Sequence, residues 1–395
     1  MSDYFFPDEI LVEILHRLPP KTLLRFTTVC KSWRSLITHP SFVSLHHRHS
    51  PSFLLLQLCD ERTLPNILHY SLRRDDPFLS PSSSLFLPSS FDREFSVVAI
   101  CNGLVCITAG EGCHSLIICN PSVRRFVSLP RPRDYPCFYD ACVSFGFDSR
   151  NSDYKVVRIA CMVDDERFGL SAPEVEVYSL ATGFWRNLGG VAPVCTLCFV
   201  GRDAPHCFVD GFVHWGAKRR SVKDDGWYFF VLSFDFEDEV FGEVALPESL
   251  AHVSSNAVII TAVGGGNGKD LTMYRVSGGS PCSCEIWVMK EYGVAESWNK
   301  VFTFSLRGFY LEAPSLGITI TCVTGPPAAL CVRNSGEVLL LMDESGKGCL
   351  YSLDVEKKTF RNLQIGGEGY TWYLYSAYYS ETLVLLNKPT GLVSY

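Results

Sequence analysis

Four times along this chain a strand-like run ends in a small polar residue and, six residues later, an aromatic opens the next run. The pairs are Asn120 with Phe126, Ser179 with Trp185, Asp235 with Phe241 and Asp354 with Phe360. A fifth copy, Lys290 to Trp298, has a loop two residues longer, and Ser71 to Phe78 is a weaker sixth. The anchors at 71, 120, 179, 235, 290 and 354 are 49, 59, 56, 55 and 64 residues apart. A recurring period of this length constrains a fold strongly, because each unit must bury its faces on its neighbours. Upstream of most anchors stands a turn that feeds another strand: Asn102-Gly103, Asn151-Ser152-Asp153, Asp210-Gly211, Gly268-Lys269 and Ser335-Gly336. Two hairpins per repeat make a four-stranded unit, so the spacing predicts a β-propeller of about six blades, in which radial repetition protects the strand edges. The aromatic strand at 371–386 would pair with the first blade and close the ring. A pair of stacked β-sandwiches is the alternative that the same strands allow.

The runs themselves agree with an all-β domain. From residue 53 onward short period-two stretches rich in β-branched and aromatic residues alternate with turn residues, as in SVVAICNGLVCI (96–107), EVEVYSL (174–180) and YFFVLSFDF (228–236). RRDDPFLSPSSSLFLPSS (73–90) reads as a Ser/Pro-rich loop.

The first fifty residues obey a different period. Pro7 suits a first helical position, and Asp8 and Glu9 suit the positive end of a helix dipole. Ile10, Leu11, Ile14, Leu15 and Leu18 form one helical stripe that Pro19 and Pro20 end. A second helix is expected from Lys21, with Leu23, Leu24, Phe26, Val29, Cys30, Trp33, Leu36 and Ile37 on its apolar positions, up to His39-Pro40. Residues 39–52 then read as a junction. A unit of about 45 residues buries too little surface to be comfortable alone, so part of its stripe is expected to meet another surface.

Charge and cysteine usage narrow the function classes. The net charge is −7. Residues 1–49 hold six Lys/Arg against four Asp/Glu, a balance of +2, which leaves −9 for the remainder. An acidic main domain argues against electrostatic binding of nucleic acid or anionic lipid. No apolar run approaches the roughly 18 residues that a membrane helix needs, and the acidic start is unlike a secretory signal. The 17 cysteines are odd in number and scattered along strand-like segments, which reads as buried free thiols of a reducing compartment. A soluble protein of the cytoplasm and/or nucleus is expected.

Two resemblances follow from the motifs. FPDEILVEIL, LP, LLRF and VCKSWRSLI, in that order over 6–37, resemble the F-box, with Phe6 where that family usually has Leu. CNGLVCI, CNPSVRRFVSLP, FGFDSRNSDYKVVRI, EVEVYSLATGFWRNL, VDGFVHWGA, LSFDFEDEVFGEVALP and EIWVMKEYGVAESWNKVF look like the type-one F-box-associated domain. That kelch-like region belongs to plant F-box proteins such as the S-locus F-box proteins and regulators of immune receptors. The resemblance implies an all-α F-box over 1–48 and an F-box-associated propeller over 49–395. It implies a substrate-recognition subunit of a Skp–cullin–F-box ubiquitin ligase, joined through a Skp-type adaptor to cullin and RING subunits and holding an unidentified substrate protein. Carried over residue by residue, the contact or supporting positions for adaptor binding are Pro7, Ile10, Leu11, Ile14, Leu15, Leu18, Leu23, Leu24, Val29, Cys30 and Trp33. No catalytic residue and no cofactor is implied. A propeller enzyme whose helices merely cap the ring, and a scaffold that binds the adaptor without delivering a substrate, are the competing classes.

Other motifs carry little chemistry. Val263-Gly264-Gly265-Gly266-Asn267-Gly268-Lys269-Asp270 fails as a P-loop at Val263 and Asp270. Cys282-Ser283-Cys284 has no second pair, and the His46, His47, Arg48, His49 cluster has no partner ligand at suitable spacing. Asp235, Glu237, Asp238 and Glu239 read as a solvated turn. Loops 131–140, 162–172, 217–226 and 305–316 are the candidates for substrate recognition, since loops carry recognition on rigid scaffolds.

Overall fold

A computed structural model describes residues 7–60, 67–83, 85, 95–109, 113–134, 139–162, 169–198, 206–209, 211–221, 226–253, 258–264, 271–277, 282–307, 310–313, 318–321, 328–344, 347–357, 359–368 and 370–384. It opens with four helices, α1 (Asp8–Leu15), α2 (Pro20–Phe26), α3 (Lys31–Thr38) and α4 (Pro40–His49). The second expected helix is therefore two. Thr27 and Thr28 turn their hydroxyls back onto the carbonyls of Leu24 and Arg25, both at 2.7 Å, and Cys30 Sγ caps α3 by accepting from Trp33 N. The expected junction at 39–52 is also mostly helix. Pro40 takes the first position of α4, where its missing N–H costs nothing, and His39 Nδ1 accepts from Ser41 N.

The strands form six sheets among the described residues, arranged as blades of a propeller. Named from the axis outward, blade 1 is Tyr370–Ser380, Ser52–Asp60, Ile67–Arg74 and Pro81–Ser83, and blade 2 is Phe95–Cys101, Leu104–Ala109, Ser115–Asn120 and Arg125–Ser128. Blade 3 runs from Tyr139–Asp148 through Asp153–Met162 and Glu174–Ser179 to Phe184–Asn187. Blade 4 sets Thr196–Leu197 and Cys207–Val209 against Phe212–Arg220, followed by Trp227–Asp235 and Phe241–Val244. Blade 5 holds Val258–Gly264, Leu271–Ser277, Cys282–Met289 and Trp298–Arg307, extended outward by Tyr310–Ala313 and Ile318–Thr321. Blade 6 is Ala328–Val332, Val338–Glu344, Lys347–Asp354 and Thr359–Glu368. The inner strands abut around the axis, Phe95–Cys101 on Tyr139–Asp148 and Val258–Gly264 on Ala328–Val332, with Tyr370–Ser380 touching both Phe95–Cys101 and Ala328–Val332. Tyr370–Ser380 also pairs antiparallel with Ser52–Asp60, Tyr379 opposite Phe53, so the C-terminal strand closes the ring as its composition suggested.

Six apolar clusters sit between successive blades. Alternate residues of one strand therefore serve two of them: Phe230, Leu232 and Phe234 pack toward blade 3, while Trp227, Phe229 and Val231 pack toward blade 5. In Ser52–Asp60, Leu54 and Leu56 meet blade 6 and Leu55 meets blade 2. Burial on both faces corrects the expectation of period-two strands: successive residues such as Phe229 and Phe230 are both apolar because each faces a different neighbouring blade.

The aromatic of the repeat has one job in five blades, to pack on the blade before it. Phe126, Trp185, Phe241, Trp298 and Phe360 all join the cluster shared with the preceding blade. The two tryptophans also donate their indole N–H across that gap, Trp185 to Pro130 O at 2.7 Å and Trp298 to Ala245 O at 3.0 Å. The small polar residue shapes the turn: Asp235 Oδ1 accepts from Glu237 N at 2.7 Å, and Asp354 Oδ1 from Lys357 N at 2.8 Å. Blade 1 departs from expectation. Ser71 lies inside a strand and Phe78 is 68% exposed; Asp76 caps the turn instead, and Leu79, fully buried, packs on blade 6.

Candidate functional site

The four helices share one core, built from Leu15, Leu23, Ile37 and Phe42 with Val12, Leu18, Leu24, Phe26, Trp33, Leu36 and Val43 around them. Two propeller residues complete it, Val123 from the outer turn of blade 2 and Leu383 from the segment after the closing strand. His47 Nδ1 donates to Glu381 O at 3.2 Å across the same boundary. Burial pushes the Glu381 carboxyl up, and Lys21 of α2 offsets part of that. The helices thus sit on the face where first strands turn into second strands and third into fourth.

This seat sorts the eleven positions expected to contact or support an adaptor. Ile10 and Ile14, one turn apart on α1, are 45% and 50% exposed and line a shallow depression with Glu9, Glu13 and Arg17. Pro7, Val29 and Cys30 are exposed as well, with Pro7 standing at the N-cap of α1 rather than inside it. Leu11, Leu18, Leu24 and Trp33 are half-buried. Leu15 and Leu23, at 1% and 0% exposure, are core of the helical unit, which leaves them the supporting share of that set. Leu15 belongs to the same sequence stripe as Ile14, but the 100° step between them turns it inward.

His46 is equally internal. Its Nε2 donates to Leu18 O at 2.9 Å, and burial holds its pKa below the ordinary value. His47 turns to Glu381, whereas His49 donates to Leu45 O at 2.9 Å and meets His16 edge-on, so the histidines of α4 face in different directions. Among the described residues no three His, Cys, Asp or Glu are grouped as metal ligands. Cys284 is a buried core residue of blade 5. Of the near-P-loop, 265–270 lie outside the described residues, and Val258–Gly264 is a strand.

The acidic turn at 235–239 is solvated only in part: Asp238 is half exposed, whereas Glu239 is largely covered. The turn clasps blade 3. Asp238 pairs with Arg150 at 2.6 Å, Glu237 accepts from Ser149, and Glu239 meets both Arg186 and Lys155, the latter at 2.9 Å. Lys155 also reaches Asp148 at 2.6 Å and Phe236 O at 2.8 Å, with both side chains of the Lys155–Asp148 pair nearly sealed from solvent. Burial opposes the charge on Asp148, but hydrogen bonds from Lys155 and Asn151 outweigh it and hold the carboxyl below its usual range. Arg333 ties blade 6 to blade 1 in the same way through Asp75, at 2.8 Å, and Asp76 O, at 2.6 Å. Sequence reading missed both clasps. Their one signal was charged residues beside the turns of neighbouring repeats.

The described parts of all four candidate recognition loops lie on the face opposite the helices; 135–138, 163–168, 222–225, 308–309 and 314–316 fall outside the described residues. Loop 131–140 is strapped to blade 3, where Arg158 Nη1 donates to Arg133 O and to Glu176, both at 2.9 Å. Loops 162–172 and 217–226 meet, since Arg220 N donates to Gly169 O at 3.2 Å and Gly169 lies against the Trp227 ring. Lys218 and Arg220 stand 4.5 and 4.3 Å from the centroid of that ring. The 305–316 segment is partly strand rather than loop, with Ser305 opposite Glu312.

A helical unit with an exposed isoleucine pair, seated on one face of a six-bladed propeller, defines a two-part adaptor-type protein. Comparison with known proteins gives its family. Residues 58–386 match the F-box associated beta propeller domain and residues 6–45 match the F-box domain. F-box protein At3g07870 of Arabidopsis thaliana is 28% identical, over 98% of this chain and 93% of its own length. F-box protein CPR1 is 31% identical over 75% of this chain and 72% of its own, and the F-box/kelch-repeat protein At3g17530 is 28% identical over 74% of each, both also from Arabidopsis thaliana. The chain belongs to the F-box proteins that carry an F-box associated propeller domain.

Proposed function

We propose that this protein is the substrate-recognition subunit of a Skp–cullin–F-box ubiquitin ligase. Residues 1–48 form the adaptor-binding unit and 49–395 the substrate-binding propeller. Ile10 and Ile14, with Pro7, Val29 and Cys30 exposed and Leu11, Leu18, Leu24 and Trp33 half-covered, dock on a Skp-type adaptor by helix-in-groove contact, and cullin and RING subunits follow through it. Leu15 and Leu23 support that face from beneath. The propeller holds a target protein, and the chain acts by raising the effective concentration of a target lysine at the conjugating enzyme, with no catalytic side chain or cofactor of its own. The working compartment is the cytoplasm and/or nucleus.

The observation that carries this reading is the orientation of α1. Helices that only capped the ring would turn their apolar stripe wholly inward, whereas Ile10 and Ile14 stay about half exposed and outside the shared core. Titration of the purified chain with a Skp-type adaptor is the test. Ile10→Asp with Ile14→Asp should abolish binding while leaving the propeller folded; tight binding by that variant would overturn the proposal.

A further inference from the structure

The last described segment, 381–384, touches everything that must be held in place. On one side it is bound to blade 2: Asn120 Nδ2 donates to Thr382 O at 2.9 Å and to Val384 O at 2.7 Å, and Thr382 N donates to Ser122 Oγ at 3.2 Å. Ser122 shares a 2.8 Å hydrogen bond with Tyr379 of the closing strand. The Asn102-Gly103 turn presses so closely that a Cβ on Gly103 would lie 2.3 Å from Ser380 O. On the other side the segment enters the helical core, with Leu383 fully buried beside Leu15, Leu23, Ile37 and Phe42, and Glu381 O accepting from His47. Val123, three residues after Asn120, is the second propeller residue in that core.

We propose that 381–384 is a positioning latch, in which the residues that close the propeller also fix the orientation of the helical unit, so that ring closure and helix docking stabilise each other. The segment packs on the inward side of the helices, away from Ile10 and Ile14, so it sets where the adaptor is held relative to the propeller without contributing to adaptor affinity. This consequence for ligase output rests on the function proposed above; the coupling itself does not.

Hydrogen exchange on the full chain tests the coupling. Leu383→Ser should speed exchange of α3, α4 and the closing strand Tyr370–Ser380 together, by roughly tenfold or more for a deleted core leucine. Exchange in Trp227–Asp235 of blade 4 should stay within about twofold of the unsubstituted chain, as expected of a separate cooperative unit. Leu383→Met, which keeps the volume, should restore protection. Val123→Ser should loosen the same helices from the blade 2 side, and Phe42→Ser should loosen the closing strand from the helix side, because coupling is reciprocal. Helices that keep full protection in both Leu383→Ser and Val123→Ser overturn the latch, as does acceleration in blade 4 equal to that in the helices. In a reconstituted ligase, Leu383→Ser should lower self-ubiquitination of the propeller at unchanged adaptor affinity. Failure of the unsubstituted chain to bind an adaptor would defeat the functional reading and leave the exchange result standing.

Discussion

Truncation of the isoleucine pair separates contact from support on α1. About half of each side chain remains uncovered, 45% at Ile10 and 50% at Ile14. Full burial of an isoleucine is worth roughly 1.5–3 kcal/mol, so a partner that covers the remaining half gains roughly 0.7–1.5 kcal/mol per residue. Ile10→Ala with Ile14→Ala should then cost roughly 1.5–3 kcal/mol of binding, which weakens the adaptor Kd by about tenfold to a hundredfold or somewhat more. Leu15→Ala is the contrast. At 1% exposure it offers a partner almost nothing, yet it should cost about 2–5 kcal/mol of stability as a deleted core side chain. Calorimetric titration with a purified Skp-type adaptor, paired with thermal unfolding of each variant, reads both quantities. The reasoning is refuted if the double alanine variant binds within about twofold of the unsubstituted chain, or if its loss of stability matches that of Leu15→Ala.

Three further substitutions probe the propeller. Lys155→Ala strips the buried Asp148 of its cation and should lower stability by about 3–5 kcal/mol, read as a shift in denaturant midpoint, whereas a surface exchange such as Arg17→Ala should move it little. Gly103→Ala adds a methyl at φ +75°, against the Ser380 carbonyl and Thr382 side chain; it should destabilise by more than the ~1–3 kcal/mol of a left-handed non-glycine residue alone, and calorimetry that found no loss would contradict the tight seam. Burial lowers the pKa of His214 to about 4 from 6.5, with Tyr292 Oη 2.7 Å from its Nε2. The unfolded chain takes up that proton first, so stability is intact above about pH 6.5 and falls as the pH drops toward 4, by at most about 3 kcal/mol. His214→Gln should flatten that part of the stability curve; an unchanged slope would assign it to other groups.

Much of this architecture was legible in the chain. The spacing from turn anchor to aromatic, six residues in four copies and eight in a fifth, places a turn and an aromatic that packs on the preceding blade, and these five read correctly because each depends on contacts within one hairpin and its neighbour. The sixth failed because blade 1 uses Asp76 and Leu79, which match the pattern chemically but not by residue type. The break at 27–30 was missed because the apolar positions of α2 and α3 run on without a break in period, and the interruption is made by Thr27, Thr28 and Cys30 bonding to the backbone; the end at His39-Pro40 stands where it was expected, and the missed element is α4 beyond it.

What the order of residues determined on its own is periodic: short strands between turns with Gly or Asx chemistry, and one amphipathic stripe near the start. Which member of that stripe faces outward was decided only by tertiary structure. Ile14 and Leu15 are equivalent as letters, yet one is half exposed and the other sealed, because Val123 and Leu383 arrive from far along the chain to complete the core beneath Leu15. The same holds for Asn120, whose amide secures residues 382 and 384 more than 260 positions away. Local periodicity reports a residue's neighbours along the chain; burial depends on what packs across from it.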